Sequence, residues 1–390
     1  MSLEYVIFAQ NAIGLWRCDR MRRYSPCESV LVTQYQLALE KTMNTYDLAL
    51  VGFGGVNQAL ARLIVDGPER FDRLGFRLRI VGISDLFRGT LVNPNGIDLA
   101  SVFRLGPGES FSILAGGDDS IDNERFIRQS TAQIVVEATF TNPLDGEPAA
   151  THVRTALESG KHVTTTNKGP VALYGRELNT LAEENGVLFA YEGSVVSGTP
   201  VISLAHERLS GATIRGVQGI LNGTCNYVLG RMEDGLDLEA AISEAQGHGY
   251  AEADPTADIG GSDVQLKVSI LANELLDANL DPSDVDTTGI DAITRGDIET
   301  AAAEGKKWKL IGSVSRSEAG TLVARVQPVA LSADHPLAGI AGATNAVTFD
   351  TDLLGQVTIS GPGAGRVETA YALVSDIISI HDFKRETPNA

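Results

Sequence analysis

The 390-residue chain is poor in cysteine, lysine and tryptophan, and it has no long apolar run. Its three cysteines, Cys18, Cys27 and Cys225, make neither a disulfide framework nor a metal-binding spacing, which suits a reducing cytoplasm. No stretch approaches the ~18 apolar residues needed to span a bilayer. The N-terminus lacks the basic, apolar and small-residue succession of a secretory signal. Positive charge is scarce as well. A net charge of −19 argues against nucleic acid or an anionic membrane as partner, because both select a basic face. Only eight of the 31 basic residues are lysines. An acidic, lysine-poor surface is of the halophilic type, soluble in concentrated salt where self-repulsion is screened.

What is present describes a soluble globular protein of two to three domains, with 43% hydrophobic and 21% charged residues. The acidity is uneven. Residues 1–42 carry five basic and four acidic side chains, two of the cysteines and Trp16. They read either as a true extension or as translation from too early a start codon, with Met43 the preferred start. From Tyr46 onward, short β-branched apolar segments alternate with amphipathic ones: "YDLALV" (46–51), "LRIVGIS" (78–84), "QIVVEAT" (133–139) and "HVTTT" (162–166), with helical patterns between. This predicts an α/β fold, a Rossmann-type doubly wound parallel sheet covered on both faces. Beyond Phe189 the register changes toward a second, α+β domain. The stretch "VTISGPGAGRVETAYALVSDIISI" then reads as strand, glycine turn and a helix returning to the first domain. The expected division is a nucleotide-binding domain at 43–185 completed by 361–390, and a substrate and dimerisation domain at 186–360.

Glycines punctuate the first strand-to-helix junction in "VGFGGVN". Gly52 and Gly54 permit the tight turn and the close approach of main-chain N–H groups to a pyrophosphate at a helix N-terminus. Asn57 stands where the third fingerprint glycine is usual. The second strand ends in "GISDLFRG", where Asp85 can accept from a ribose 2′-hydroxyl and Arg88 can pair with a 2′-phosphate; the sequence does not choose between them. Lys168 in "TTTNKGPVAL" falls at a strand end before a helix, where open α/β sheets bind ligands. "YEGSVVSGTPVISL" (191–204) is a loop of small residues, fitted equally to a hinge or to holding a monovalent cation on its carbonyls.

One further stretch bears on chemistry. In "GYAEADPTADIGGSDVQLK" (249–267), Asp263 and Lys267 are spaced i, i+4 on a helix expected to begin near Ser262, with Glu252 and Asp258 adding carboxylates. Most such pairs are exposed and worth ~0.3–0.5 kcal/mol. Converging acids with a single amine can instead bind a zwitterion and pass a proton.

Together, "GFGGV", "TTTNKGPVA", "EGSVVSGTP", "GILNGTCNYVL", "AQGHGYAEADPTADIGGSDVQLK" and "GPGAGRVETA" occur in one order across about residues 46–381 and resemble the homoserine dehydrogenases. The resemblance implies NAD- or NADP-linked interconversion of L-aspartate 4-semialdehyde and L-homoserine, in threonine and methionine biosynthesis, by a cytoplasmic homodimer. Carried over, Lys267 is the acid/base and Asp263 binds substrate and orients it. Glu252 holds the substrate ammonium, and Lys168 and Asp258 line the substrate site. Gly52, Gly54, Gly55, Val56, Thr139, Lys168 and Gly365 touch the dinucleotide. Glu192, Val195, Ser197 and Thr199 form a sodium- or potassium-binding loop. A short form is expected, with no C-terminal regulatory domain, no preceding kinase segment and no threonine feedback through such a domain. The rivals are an aspartate-semialdehyde or diaminopimelate-pathway reductase and a non-catalytic nucleotide sensor. The aspartate-semialdehyde enzyme would need an active cysteine, and Cys225 has no partnering histidine motif.

Overall fold

The computed structural model describes residues 43–317 and 319–387, so the expectations for residues 1–42, Cys18 and Cys27 among them, lie outside the described residues. Residues from Thr45 onward cluster as one compact unit built on two sheets. The first has seven strands in the order β4-β3-β2-β1-β5-β6-β7: β1 (Asn44–Val51), β2 (Phe76–Asp85), β3 (Gly89–Val92), β4 (Gly117–Asp118), β5 (Ile134–Glu137), β6 (His162–Thr165) and β7 (Phe189–Ala190). β1, β5, β6 and β7 pair in parallel, as the apolar runs of the first three predict. β3 and β4 add an antiparallel edge that the sequence reading did not anticipate, and β7 extends this sheet past residue 185.

Helices α1 (Gly55–Asp66), α2 (Asn123–Gln129), α3 (Ala149–Glu158) and α4 (Lys168–Glu184) connect these strands. Asn167 caps α4 by accepting from the Gly169 N–H, which fixes the helix start at Lys168 rather than within the downstream amphipathic run. The central strands are buried on both sides: Leu48, Leu50, Ile134 and Val136 face one apolar cluster, and Ala49, Val51, Val135 and Val163 the other.

The second sheet has six strands in the order β13-β12-β8-β10-β11-β9: β8 (Ile214–Ile220), β9 (Asp286–Thr287), β10 (Lys306–Arg316), β11 (Leu322–Ser332), β12 (Thr344–Thr351) and β13 (Gly355–Pro362). Helices α5 (Gly223–Glu233), α6 (Leu238–Gly247), α7 (Ser262–Leu276) and α8 (Arg295–Ala303) lie between β8 and β10 in the chain. Their apolar residues Cys225, Val228, Val264 and Val268 share a core with Val217, Leu310 and Val314 of the sheet. The chain then returns through α9 (Arg366–Glu386), whose Ala370, Leu373, Val374 and Ile377 complete the first sheet's core. Among the described residues no helix is long and apolar enough to cross a membrane.

Close packing sets the seat of α7. A Cβ at Gly312 on β10 would stand 2.7 Å from Val264 Cγ1 and 2.8 Å from Val268 Cγ2. The helix that carries Asp263 and Lys267 therefore rests where only a glycine fits. Gly312→Ala overfills this contact and is expected to lower the unfolding free energy by about 1–3 kcal/mol, measured by urea denaturation; an unchanged midpoint would refute the seating.

Candidate active site

The helix start at Ser262 follows Gly261, which holds φ +86, a left-handed value that glycine adopts without strain. From there α7 carries Asp263 and Lys267 inward on consecutive turns. Lys267 is only 5% exposed, not a surface residue. Its Nζ donates to Asp263 Oδ2 at 2.7 Å and to the Leu221 carbonyl at 2.6 Å. Asp263 Oδ1 stands 3.4 Å from Lys168 Nζ, so one carboxylate serves two ammonium groups, one from α4 and one from α7. The N-cap of α5, Asn222, accepts from the Cys225 N–H with its Oδ1 and donates with Nδ2 to Asp258 Oδ1 at 2.7 Å and Asp263 Oδ2 at 3.0 Å.

This geometry sets the charge states. Burial disfavours the Asp263 anion, but Lys267 and Lys168 outweigh it and hold the carboxyl well below the usual range. Burial pushes the Lys267 ammonium below the ordinary lysine value, an effect Lys168 reinforces and Asp263 opposes. An ammonium has three donors; two of Lys267's are taken, and the third has no partner among the described residues. Burial drives the Cys225 thiol well up, and its Sγ donates to the Asp258 carbonyl, so it is no nucleophile.

The structure does not bring every expected residue to this cluster. Glu252 lies on an exposed loop, and its carboxylate has no hydrogen bond or ion pair among the described residues; Gln246 Nε2 reaches only its carbonyl. That loop is tied to α5 by Thr224 Oγ1, which donates to the Tyr250 carbonyl at 2.6 Å.

The glycine turn lies at the C-terminal ends of β1, β5 and β6, together with Thr139 and Lys168. Gly52 holds φ +80, and a Cβ there would meet the Ala138 carbonyl oxygen at 2.8 Å. Nothing lies within 4 Å of a Cβ placed on Gly54, so the N-cap of α1 opens onto free space. That shape fits a pyrophosphate on main-chain N–H groups. Asn57, in place of the third fingerprint glycine, is buried and donates to the Gly52 carbonyl at 2.6 Å, bracing the turn. Val56 is half-buried at the base of α1, against the core. Glu137, fully buried, accepts from the Thr139 N–H and hydroxyl and from Thr165, locking the loop after β5. Gly365, at φ +128, immediately precedes α9.

Asp85 and Arg88 are both engaged, though the Asp85 carboxylate keeps lone pairs beyond the Phe53 and Phe87 N–H groups that it accepts from. Asp85 accepts from Phe53 N–H of the glycine turn at 2.9 Å. Arg88 is turned onto the Glu109 carbonyl at 3.0 Å and the Phe111 ring at 5.1 Å.

In the 191–204 loop, the Glu192 carboxylate accepts from the N–H groups of Val201, Ile202 and Ser203 at 2.7, 2.9 and 2.7 Å. Ser197 Oγ pairs with Thr369 and Thr199 Oγ1 donates to the Pro362 carbonyl. Val195 is buried among apolar neighbours. These side chains are occupied, which leaves main-chain oxygens as ligands for any cation. Among the described residues no group of three or more His, Cys, Asp or Glu side chains is arranged to hold a metal ion. The loop also rests on Asp376, a carboxyl that burial pushes well up and that accepts from Thr164 Oγ1 and the Glu192 N–H.

With this geometry in hand, residues 52–192 match the homoserine dehydrogenase NAD-binding domain and residues 200–378 match the homoserine dehydrogenase family profile. An NAD(+)-dependent homoserine dehydrogenase of Pseudomonas canavaninivorans is 57% identical over 87% of this chain and 97% of its own length. The chain belongs to the homoserine dehydrogenase family. Another family member, from Methanocaldococcus jannaschii, is 38% identical over 86% of this chain and 98% of its own. Among solved structures, a homoserine dehydrogenase from Thiobacillus denitrificans superposes with a TM-score of 0.76 at 30% identity, covering 89% of this chain and 75% of that one. A hyperthermophilic archaeal homoserine dehydrogenase in complex with NADPH gives 0.73 at 29%, covering 86% and 98%.

Proposed function

We propose that this homoserine dehydrogenase interconverts L-homoserine and L-aspartate 4-semialdehyde with Lys267 as the proton carrier, as a cytoplasmic step of threonine and methionine biosynthesis. The observation that carries this reading is a buried ammonium held by Asp263 and Leu221, its third donor without a partner among the described residues. When bound, the nicotinamide supplies or accepts the hydride. Lys267 gives its free proton to the alkoxide that develops as the aldehyde is reduced, and takes it back in the reverse direction. Asp263 fixes the amine's direction, Asn222 fixes Asp263, and Lys168 and Asp258 border the substrate. Glu252 takes the substrate ammonium once its loop closes over the site. Gly52, Gly54, Gly55, Val56, Thr139 and Gly365 frame the dinucleotide.

Between the two cofactors, the reading is NAD. Asp85 presents a carboxylate at the end of β2, where it can accept from a ribose 2′-hydroxyl and repel a 2′-phosphate, while Arg88 is spent elsewhere. We also assign the 191–204 loop, with the main chain of Glu192, Val195, Ser197 and Thr199, to a sodium or potassium ion. A second copy of the chain is assigned to the six-stranded sheet, and the acidic surface to work in concentrated salt. The domain division follows the two sheets, with the seam after β7.

Lys267→Ala is expected to lower turnover roughly 10²- to 10⁴-fold, and Lys267→Arg to do the same, because arginine does not release its proton. For wild type, oxidation needs the neutral amine. Its kcat/KM therefore rises with pH and levels off at an inflection below the ordinary lysine value, while aldehyde reduction falls over the same range. Equal homoserine oxidation by wild type and Lys267→Ala would refute the role. Asp85→Ser should shift the NADP-to-NAD ratio of kcat/KM upward by roughly tenfold; an unmoved ratio removes Asp85 from cofactor choice. Sedimentation and turnover compared in sodium, potassium and choline buffers should give a species of twice 41.3 kDa throughout, with turnover lost in choline and retained at molar salt. A monomer, or full turnover in choline, would overturn the corresponding assignment.

A further inference from the structure

The geometry points to Arg366, the first residue of α9, as a phosphate-binding residue for the dinucleotide; this inference rests on the cofactor reading above. Its side chain lies across the glycine turn: a Cβ built on Gly55 would stand 2.9 Å from both Arg366 Cδ and Nε. It thus covers the first turn of α1, beside the open space over Gly54 where main-chain N–H groups await an anion. The guanidinium is exposed, and among the described residues it makes no ion pair, hydrogen bond or ring contact. The chain has a net charge of −19, and most of its described arginines are bound to carboxylates, carbonyls or rings; Arg366 is one of the few left over.

The acid in the first turn of α9 does not claim it. Glu368 folds its Oε2 back over Gly365, at the N-terminus of its own helix, and no ion pair joins it to Arg366. The positive charge left facing the glycine turn is Arg366. A guanidinium there offers two parallel N–H donors to a phosphate, charge-assisted and less strongly hydrated than an ammonium. The residue comes from the returning helix, some 310 positions from the turn it serves, so no fingerprint around "VGFGGVN" includes it.

The test is binding by fluorescence titration of NADH, with ADP-ribose and adenosine as competitors, at low and molar salt. Arg366→Gln is expected to weaken NADH and ADP-ribose by roughly tenfold at low salt. The deficit should shrink at molar salt, where the charge is screened. Adenosine, which has no phosphate, should compete equally with wild type and variant, and Arg366→Lys should restore part of the loss. Because the side chain is exposed, the melting temperature should not move. Unchanged ADP-ribose binding by Arg366→Gln, or an equal loss for adenosine, overturns the assignment. Failure of the wild type itself to bind NADH would instead bring down the cofactor reading on which it rests.

Discussion

A buried ammonium must have a counter-charge, and the site is organised around how Lys267 obtains one. Asp263, one helical turn away, provides it at 2.7 Å and is itself held by Asn222 and by Lys168. Taking away one partner would strand the other in a low-dielectric interior, at a penalty larger than the pair's own contribution. The cluster is therefore a functional constraint rather than a source of stability. Its members come from α4, α5 and α7, so the interaction also links the two sheets through a single carboxylate.

The supporting shell follows the same logic of paired polar groups. Glu137 spends its carboxylate on Thr139 and Thr165, and Asn57 pins the Gly52 carbonyl. Glu192 collects three main-chain donors at the base of a loop that a sequence reader would pick out for its small residues. Each is buried and each stiffens a segment at the C-terminal ends of the parallel strands, where irregular backbone would otherwise be free to move.

Much of this was legible in the sequence. The parallel strands β1, β5 and β6 announce themselves as short β-branched runs. Gly260 and Gly261 mark the start of α7, and i, i+4 spacing puts Asp263 and Lys267 on one face. The edge strands β3 and β4 were not legible, because four and two residues are too few to carry a period. Asn222 escaped notice for a different reason. A helix N-cap explains an asparagine in "LNGTC" fully, and nothing local reveals that its amide also reaches residues 36 and 41 positions away. The ambiguity of Asp85 against Arg88 had the same origin, since the carbonyls that capture Arg88 lie 18 and 21 residues downstream. Glu252 shows the converse: a motif position that looks decisive in sequence sits here on an exposed loop, its carboxylate without a partner among the described residues.

The seating of α7 on Gly312 has a consequence for how this site would wear. Amine and carboxylate ride on one rigid rod, so a swelling of the sheet beneath displaces them jointly and leaves their mutual spacing untouched. What changes is the gap to the strand ends opposite. Drift in that layer would part Asp263 from Lys168 while sparing its bond to Lys267, so the ion pair between the layers is the first to fail.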